Sequence, residues 1–230
     1  VLALRLLLEK NLLDKFIEIS KITGISLQDA LDGGETARIE NLLLKEFNKR
    51  DFVLPLKPGD KEVFRRIEER EGEGLKGALV LEPMTGLHTN VVYLDFKAMY
   101  PSIFIAYNIC PTTILTKKLN VEKTMAPNGI EFVTKKVREG IIPKIVKHLI
   151  EERDRLKTQM KTANEKERKI LDTKQDALKI ITNAFYGQTG YLRARLYVLD
   201  IANTITSCGR DFIRKTKEIV ERDPSCKVIY

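Results

Sequence analysis

Asp95 follows a short run of β-branched and aromatic residues, Val91-Val92-Tyr93-Leu94, bounded upstream by Gly86 and Asn90. The run predicts a buried strand, and a carboxylate placed where an apolar strand emerges is held rigidly yet still meets solvent, as a metal ligand must. The plainer alternative is that Asp95 caps the turn or helix that follows it. Farther along, Arg153 and Lys157 lie on a helical stretch whose apolar stripe is Ile142, Ile145, Val146, Leu149, Leu156 and Met160. At about 100° per residue, Arg153 falls about 40° round from Leu149 and Lys157 about 40° beyond it, so both cations flank the packed face. Cations at that spacing repel unless something anionic lies between them; a solvated pair among Glu151, Glu152 and Asp154 is the alternative. Lys179, Asn183 and Tyr186, at i, i+4 and i+7, form one polar face of the next helical stretch. By residue type these are candidates for a metal ligand and for an anion site, beside the plainer readings.

The elements that must position these groups are set by a chain of 230 residues with 43% hydrophobic content, enough for one large or two small packed domains. The formal charge is +8, and Lys135 to Lys179 alone holds fourteen Lys and Arg against eight Asp and Glu. A polyanionic partner accounts for that surplus, as does a solvated helical surface of mixed charge. Cys110, Cys208 and Cys226 are widely spaced and odd in number, which reads as reduced thiols in a cytosolic protein. No apolar run approaches the roughly 18 residues of a membrane span, and VLALRLLLEK is unlike a signal peptide. Val1 falls in mid-helix pattern and Tyr230 in a strand-like run, so the chain reads as a piece of something longer.

In order, Val1 to Ile25 predicts one helix stopped by Gly24, and a second helix is expected from about Thr36 with Ile39, Leu42, Leu43 and Phe47 on one side. Asp51 to Gly59, with Pro55 and Pro58, predicts an extended linker and a boundary. From Asp60 short strands are expected, Leu79–Leu81 and Val91–Leu94, then a polar irregular connection after Asn108. A long helix from Ile141, with Pro143 in its first turn, turns at Lys161 to Arg168 into a second from about Glu165 to Tyr186. Each spans on the order of 30 Å. A last helix is expected over about Ile201 to Glu221, and Lys227-Val228-Ile229-Tyr230 begins a strand. The fold class is α+β.

Asp-Phe-Lys-Ala-Met-Tyr-Pro-Ser-Ile, from Asp95, resembles the first polymerase motif of family B DNA polymerases, Asp-x-x-Ser-Leu-Tyr-Pro-Ser. Glu-Glu-Arg-x-x-x-Lys at Glu151 to Lys157 resembles that family's fingers segment. Lys179 to Gly187, Lys-Ile-Ile-Thr-Asn-Ala-Phe-Tyr-Gly, resembles the second motif, Lys-x-x-x-Asn-Ser-x-Tyr-Gly, with Ala184 in place of serine. The motifs come in the family's order, and the resemblance covers nearly the whole chain, being nearest to the archaeal replicative branch. Leu75-Lys76-Gly77-Ala78 occupies the place of the family's Tyr-x-Gly-Gly template element and matches it only at Gly77.

The resemblance implies template-directed DNA synthesis: nucleotidyl transfer from a deoxynucleoside triphosphate to a primer 3′-hydroxyl, aided by two Mg²⁺ ions. Residues 1–59 would be the helical end of the exonuclease region, 60–140 the first part of a palm sheet with packed helices, 141–192 a long antiparallel fingers hairpin, and 193–230 the second part of the palm. Asp95 and the Phe96 carbonyl would hold metal. Lys179 would assist the departing pyrophosphate, and Phe96, Lys97, Ala98, Met99, Tyr100, Arg153, Lys157, Lys179, Asn183, Tyr186 and Gly187 would bind nucleotide, with Tyr100 under the sugar. Gly77 would contact template. In the family a second metal-binding carboxylate comes with a third motif, Tyr-x-Asp-Thr-Asp, expected just beyond Tyr230. The partners implied are therefore primer-template DNA, deoxynucleoside triphosphates, and a C-terminal segment or second polypeptide bearing that motif and the thumb. No membrane partner is expected, and the location implied is cytoplasmic and nucleoid-associated. The competing reading is a non-catalytic DNA- or protein-binding subunit on a polymerase-like scaffold.

Overall fold

The computed structural model describes residues 2–230, most of them helical. The expected first helix is two, α1 (Leu2–Glu9) and α2 (Leu12–Thr23), because Asn11 takes a left-handed conformation (φ 50°) that an Asn tolerates and a helix cannot continue through. Gly24, at φ 74°, ends α2 with its N–H on the Ser20 carbonyl. A short α3 (Leu27–Asp32), absent from the sequence pattern, is capped by the Ser26 hydroxyl, which accepts from the Asp29 N–H. It leads into α4 (Glu35–Asn48), whose Ile39, Leu42, Leu43 and Phe47 are buried as expected.

Residues 52–59 lie outside helices and strands, and Asp60–Glu73 then forms α5, where short strands were expected to begin. Its residues are mostly charged, so no apolar stripe announced it. What anchors α5 is a pair of arginines. Arg66 donates to the carbonyls of Leu192 (2.8 Å) and Ala194 (2.7 Å) and lies over the Tyr197 ring, while Arg70 donates to the Gly190 carbonyl. Charge can therefore build a docked helix face when its donors reach the carbonyls of a neighbouring loop.

The expected strands do not form ladders. Leu79–Leu81 and Val91–Leu94 are non-helical and unpaired, and Val92 and Tyr93 are 78% and 88% exposed rather than buried. A strand exists only with a partner to take its N–H and C=O groups. Among the described residues no segment pairs with this run, and near Lys227–Tyr230 the contact is a single bond from the Met84 N–H to the Ile229 carbonyl. The sheet that does form is a small antiparallel pair, β1 (Lys123–Met125) with β2 (Glu131–Val133), in the stretch expected to be irregular. The molecule is α+β with far less strand than a palm sheet implies.

The centre is an antiparallel helical hairpin, α7 (Ile141–Gln159) and α8 (Glu165–Gly190). Asn164 and Glu167 close a reciprocal capping box at the start of α8. Ile142, Ile145, Val146 and Leu149 of α7 meet Leu178, Ile181 and Phe185 of α8 in one core. That core continues into α2 and α4 on one side, and into α6 (Met99–Ala106) and α9 (Leu199–Val220) on the other. The start of α7 is fixed by Asn108, whose amide donates to the carbonyls of Val133 (2.7 Å) and Arg138 (2.9 Å) and accepts from the Gly140 N–H (2.8 Å). Gly140 itself has no room for a side chain, since a Cβ there would come within 2.9 Å of Cys110 and Pro143. Asn108→Ala is expected to cost about 3 kcal/mol by orphaning three backbone groups, those of Val133 and Gly140 buried, a fall of about 6–12 °C in melting temperature for a chain of this size. A calorimetric melt checks this.

No helix of the described residues is long and apolar enough to cross a membrane.

Candidate active site

The segment from Asp95 to Pro101 turns out of the extended run and into α6. The turn is made by Ala98, a residue with a Cβ held at φ 49°, ψ 53°. Such left-handed alanines are uncommon and persist only where the surroundings impose them. Two contacts do so here: Phe96 packs against Phe212 of α9 with ring centroids 6.3 Å apart, and Lys97 makes a two-oxygen ion pair with Asp154 of α7 (2.7 and 2.9 Å). The Lys97–Asp154 pair ties this turn to the hairpin, a role for Asp154 that sequence alone did not indicate.

The turn borders a cleft of about 490 Å³ lined by Asp95 to Pro101, by Arg153 of α7, and by Lys179 and Asn183 of α8. Three segments far apart in sequence thus bring together Asp95, Arg153, Lys179 and Asn183 with the turn from Phe96 to Tyr100. Lys157, Tyr186 and Gly187 lie outside that lining. Lys157 is exposed one turn beyond Arg153, and Gly187 is exposed on α8. Tyr186 enters indirectly, its ring packing on Tyr100 at 4.7 Å between centroids and 47° between planes. Gly77 is away from the cleft, its carbonyl accepting from Arg210 (2.6 Å) of α9.

The electrostatics are one-sided. Among the described residues Arg153, Lys157 and Lys179 have no carboxylate within ion-pair distance, whereas their neighbours Lys97 and Arg155 are paired with Asp154 and Glu152. Unpaired cations at the mouth of a cleft attract an anionic ligand. Burial pushes the Tyr100 and Tyr186 phenols above their ordinary range, with nearby Arg210 acting weakly in the opposite direction. Both rings therefore stay neutral. Below Tyr100 lies Gly209 of α9, where a Cβ would sit 3.3 Å from Tyr100 Cε1.

Asp95 is exposed at the cleft and, among the described residues, is the one carboxylate that lines it. No group of three or more His, Cys, Asp or Glu side chains among the described residues could hold a metal unaided. The donor set therefore suits a hard cation that takes one carboxylate here and completes its shell with water and ligand phosphates, as Mg²⁺ does. It does not suit a closed protein cage.

Residues 25–229 match the model of DNA polymerase family B. The chain belongs to that family. Family B relatives include the DNA polymerase of Thermococcus gorgonarius, 38% identical over 215 residues, which cover 93% of this chain and 27% of the relative. The DNA polymerase delta catalytic subunit of Bos taurus is 33% identical over 246 residues, covering 100% of this chain and 21% of the relative. Among solved structures, the family B DNA polymerase from the hyperthermophilic archaeon Pyrobaculum calidifontis superposes with a TM-score of 0.75 at 32% identity, over 94% of this chain and 28% of that one. The chain thus spans less than a third of the length of these family B polymerases.

Gln175 and Gly209 are neighbours of the cleft that sequence reasoning passed over. Gln175 carried a signal: it is a polar residue in the apolar stripe between Leu171 and Leu178. Gly209 carried none, since only its distance to Tyr100 marks it.

Proposed function

We propose that the cleft binds a deoxynucleoside triphosphate and that the chain supplies the greater part of a site for template-directed nucleotidyl transfer. What carries the proposal is the convergence of Asp95, Tyr100, Arg153, Lys179 and Asn183 on one cleft from three separate segments. In it, residues 141–192 act as fingers, 60–140 and 193–230 as parts of the palm, and 1–59 as the helical end of the exonuclease region. The ligand's three phosphates match the unpaired cations: Arg153 and Lys157 from α7 and Lys179 from α8 bind and orient them. Lys179 is placed to hold a proton near the departing pyrophosphate. Asn183 hydrogen-bonds beside it, and Tyr100, backed by Tyr186, excludes a sugar 2′-hydroxyl. The backbone of Phe96 to Met99 borders the nucleotide, and Gly187 packs under the new base pair.

Asp95 and the Phe96 carbonyl would hold Mg²⁺. When bound, the metal lowers the pKa of the primer 3′-hydroxyl and offsets charge on the attacking and leaving oxygens. One carboxylate is too few for two such ions, so a second must come from a C-terminal segment or another polypeptide bearing the family's third motif and thumb. Gly77, in a loop held by α9, faces the template in this scheme. A replication enzyme of the archaeal type, cytoplasmic and nucleoid-associated, fits the whole.

The test is kinetic and uses the enzyme completed by that segment or polypeptide. Arg153→Ala, Lys157→Ala and Lys179→Ala are each expected to raise KM for nucleotide or lower kcat by about tenfold or more, with primer-template affinity and its salt dependence little changed. Weakened primer-template binding with normal nucleotide kinetics would place these cations on a DNA-tracking surface and favour a non-catalytic binding subunit.

A further inference from the structure

We propose that Gln175 is a positioning residue that sets the orientation of Arg153 in the cleft; the inference rests on Arg153 being a triphosphate ligand. Gln175 lies on α8 and is 7% exposed, so its amide must find partners within the protein. It finds three. Its Nε2 donates to Asp172 Oδ1 (2.9 Å) and Asp176 Oδ1 (3.1 Å), and its Oε1 accepts from Arg153 Nε (3.1 Å).

The chemistry of these partners permits one orientation of the amide. Carboxylates only accept and a guanidinium only donates, so a flipped amide would set its NH₂ against Arg153 and its oxygen against two carboxylates. Asp176 is in turn held by Lys15 of α2 through Oδ2 (2.9 Å). A chain of contacts therefore runs from α2 through α8 to the cation on α7.

The consequence for Arg153 is geometric. With Nε engaged, the plane of the guanidinium is fixed, and its two terminal nitrogens are left for the cleft that Arg153 lines. A free arginine would have to be ordered when the ligand binds, and an arginine already held does not. Gln175 touches no ligand in this scheme. It acts on the nucleotide through Arg153 alone.

The experiment is steady-state primer extension by the completed enzyme carrying Gln175→Leu, Arg153→Ala or both, with thermal melts of each. The expected result is a KM for deoxynucleotide raised about tenfold by Gln175→Leu, as for one charge-assisted hydrogen bond, with kcat within about twofold. In the Arg153→Ala background, Gln175→Leu should add nothing further. Should Gln175→Leu fold poorly, Asp176→Ala, at a more exposed position, removes one of the amide's two carboxylate acceptors and leaves the amide in place; it is expected to raise KM about threefold, again only when Arg153 is present. An unchanged KM in these variants, while Arg153→Ala raises it, overturns the role of Gln175 and leaves that of Arg153 standing. A rise that persists undiminished without Arg153 overturns it too. No effect of Arg153→Ala itself removes the triphosphate role of Arg153, and the inference with it.

Discussion

Asp95→Asn is expected to reduce nucleotide incorporation by about 10²-fold or more, the usual weight of a single essential group, while leaving primer-template affinity and the melting temperature nearly unchanged. The separation follows from where Asp95 lies. It is exposed at the cleft and packs against no core, so an isosteric amide removes a charge and a metal ligand and little else. Asn cannot substitute as an anion for Mg²⁺, which is held through carboxylates and phosphate oxygens. Single-turnover extension of a labelled primer reads the rate, and a filter-binding titration reads the affinity. Activity above about a hundredth of the original would remove Asp95 from the metal site.

The second large effect is on sugar choice. Tyr100→Ala is expected to lower discrimination against ribonucleotides by about 10–200-fold, the range in which a pocket distinguishes small differences in bulk, with deoxynucleotide turnover comparatively spared. In the proposed scheme the ring excludes the 2′-hydroxyl: it lines the cleft, rests on Tyr186 at 4.7 Å, and has Gly209 beside it, where an added Cβ would sit 3.3 Å from its Cε1. Its phenol is pushed up by burial, so the neutral form persists through and above the ordinary range. Because a raised pKa keeps the proton on, discrimination should stay flat as pH rises from about 7 to 9.5. Competition between the two nucleotide classes on one template measures both. Unchanged selectivity in Tyr100→Ala, or a sharp pH dependence in the unaltered enzyme, would contradict a steric role.

Helical spacing fixes which side chains share a face, whereas the grouping of Asp95 with Arg153, Lys179 and Asn183 was implied by the motif resemblance. Lys179 and Asn183 lie one turn apart on α8, Arg153 flanks the stripe of α7, and the hairpin needs only two apolar faces to bring them together. The extended segments were misjudged for a related reason. Val91 to Leu94 has the composition of a buried strand, but composition cannot supply a partner, and the run is exposed among the described residues. Helix α5 was missed because much of its attachment is made by Arg66 and Arg70, with Val63 its one buried apolar residue, and arginine is read from sequence as surface. The left-handed Ala98 is set by contacts with α7 and α9, far away in the chain, and no local pattern encodes it. The same holds for Asn108, a buried polar hub whose three partners come from elsewhere in the chain.

The claim that this cleft is where metal and nucleotide meet is tested most directly by diffraction from crystals of the completed enzyme with primer-template, an unreactive deoxynucleoside triphosphate analogue and Mn²⁺ in place of Mg²⁺. Anomalous scattering then locates the metal independently of the protein density. The predicted result is a metal about 2.1 Å from an Asp95 carboxylate oxygen, sharing the triphosphate with it, and the phosphates within hydrogen-bond reach of Arg153 and Lys179. A triphosphate and metal bound elsewhere, with Asp95 beyond coordination distance and the cleft holding only solvent, would contradict it.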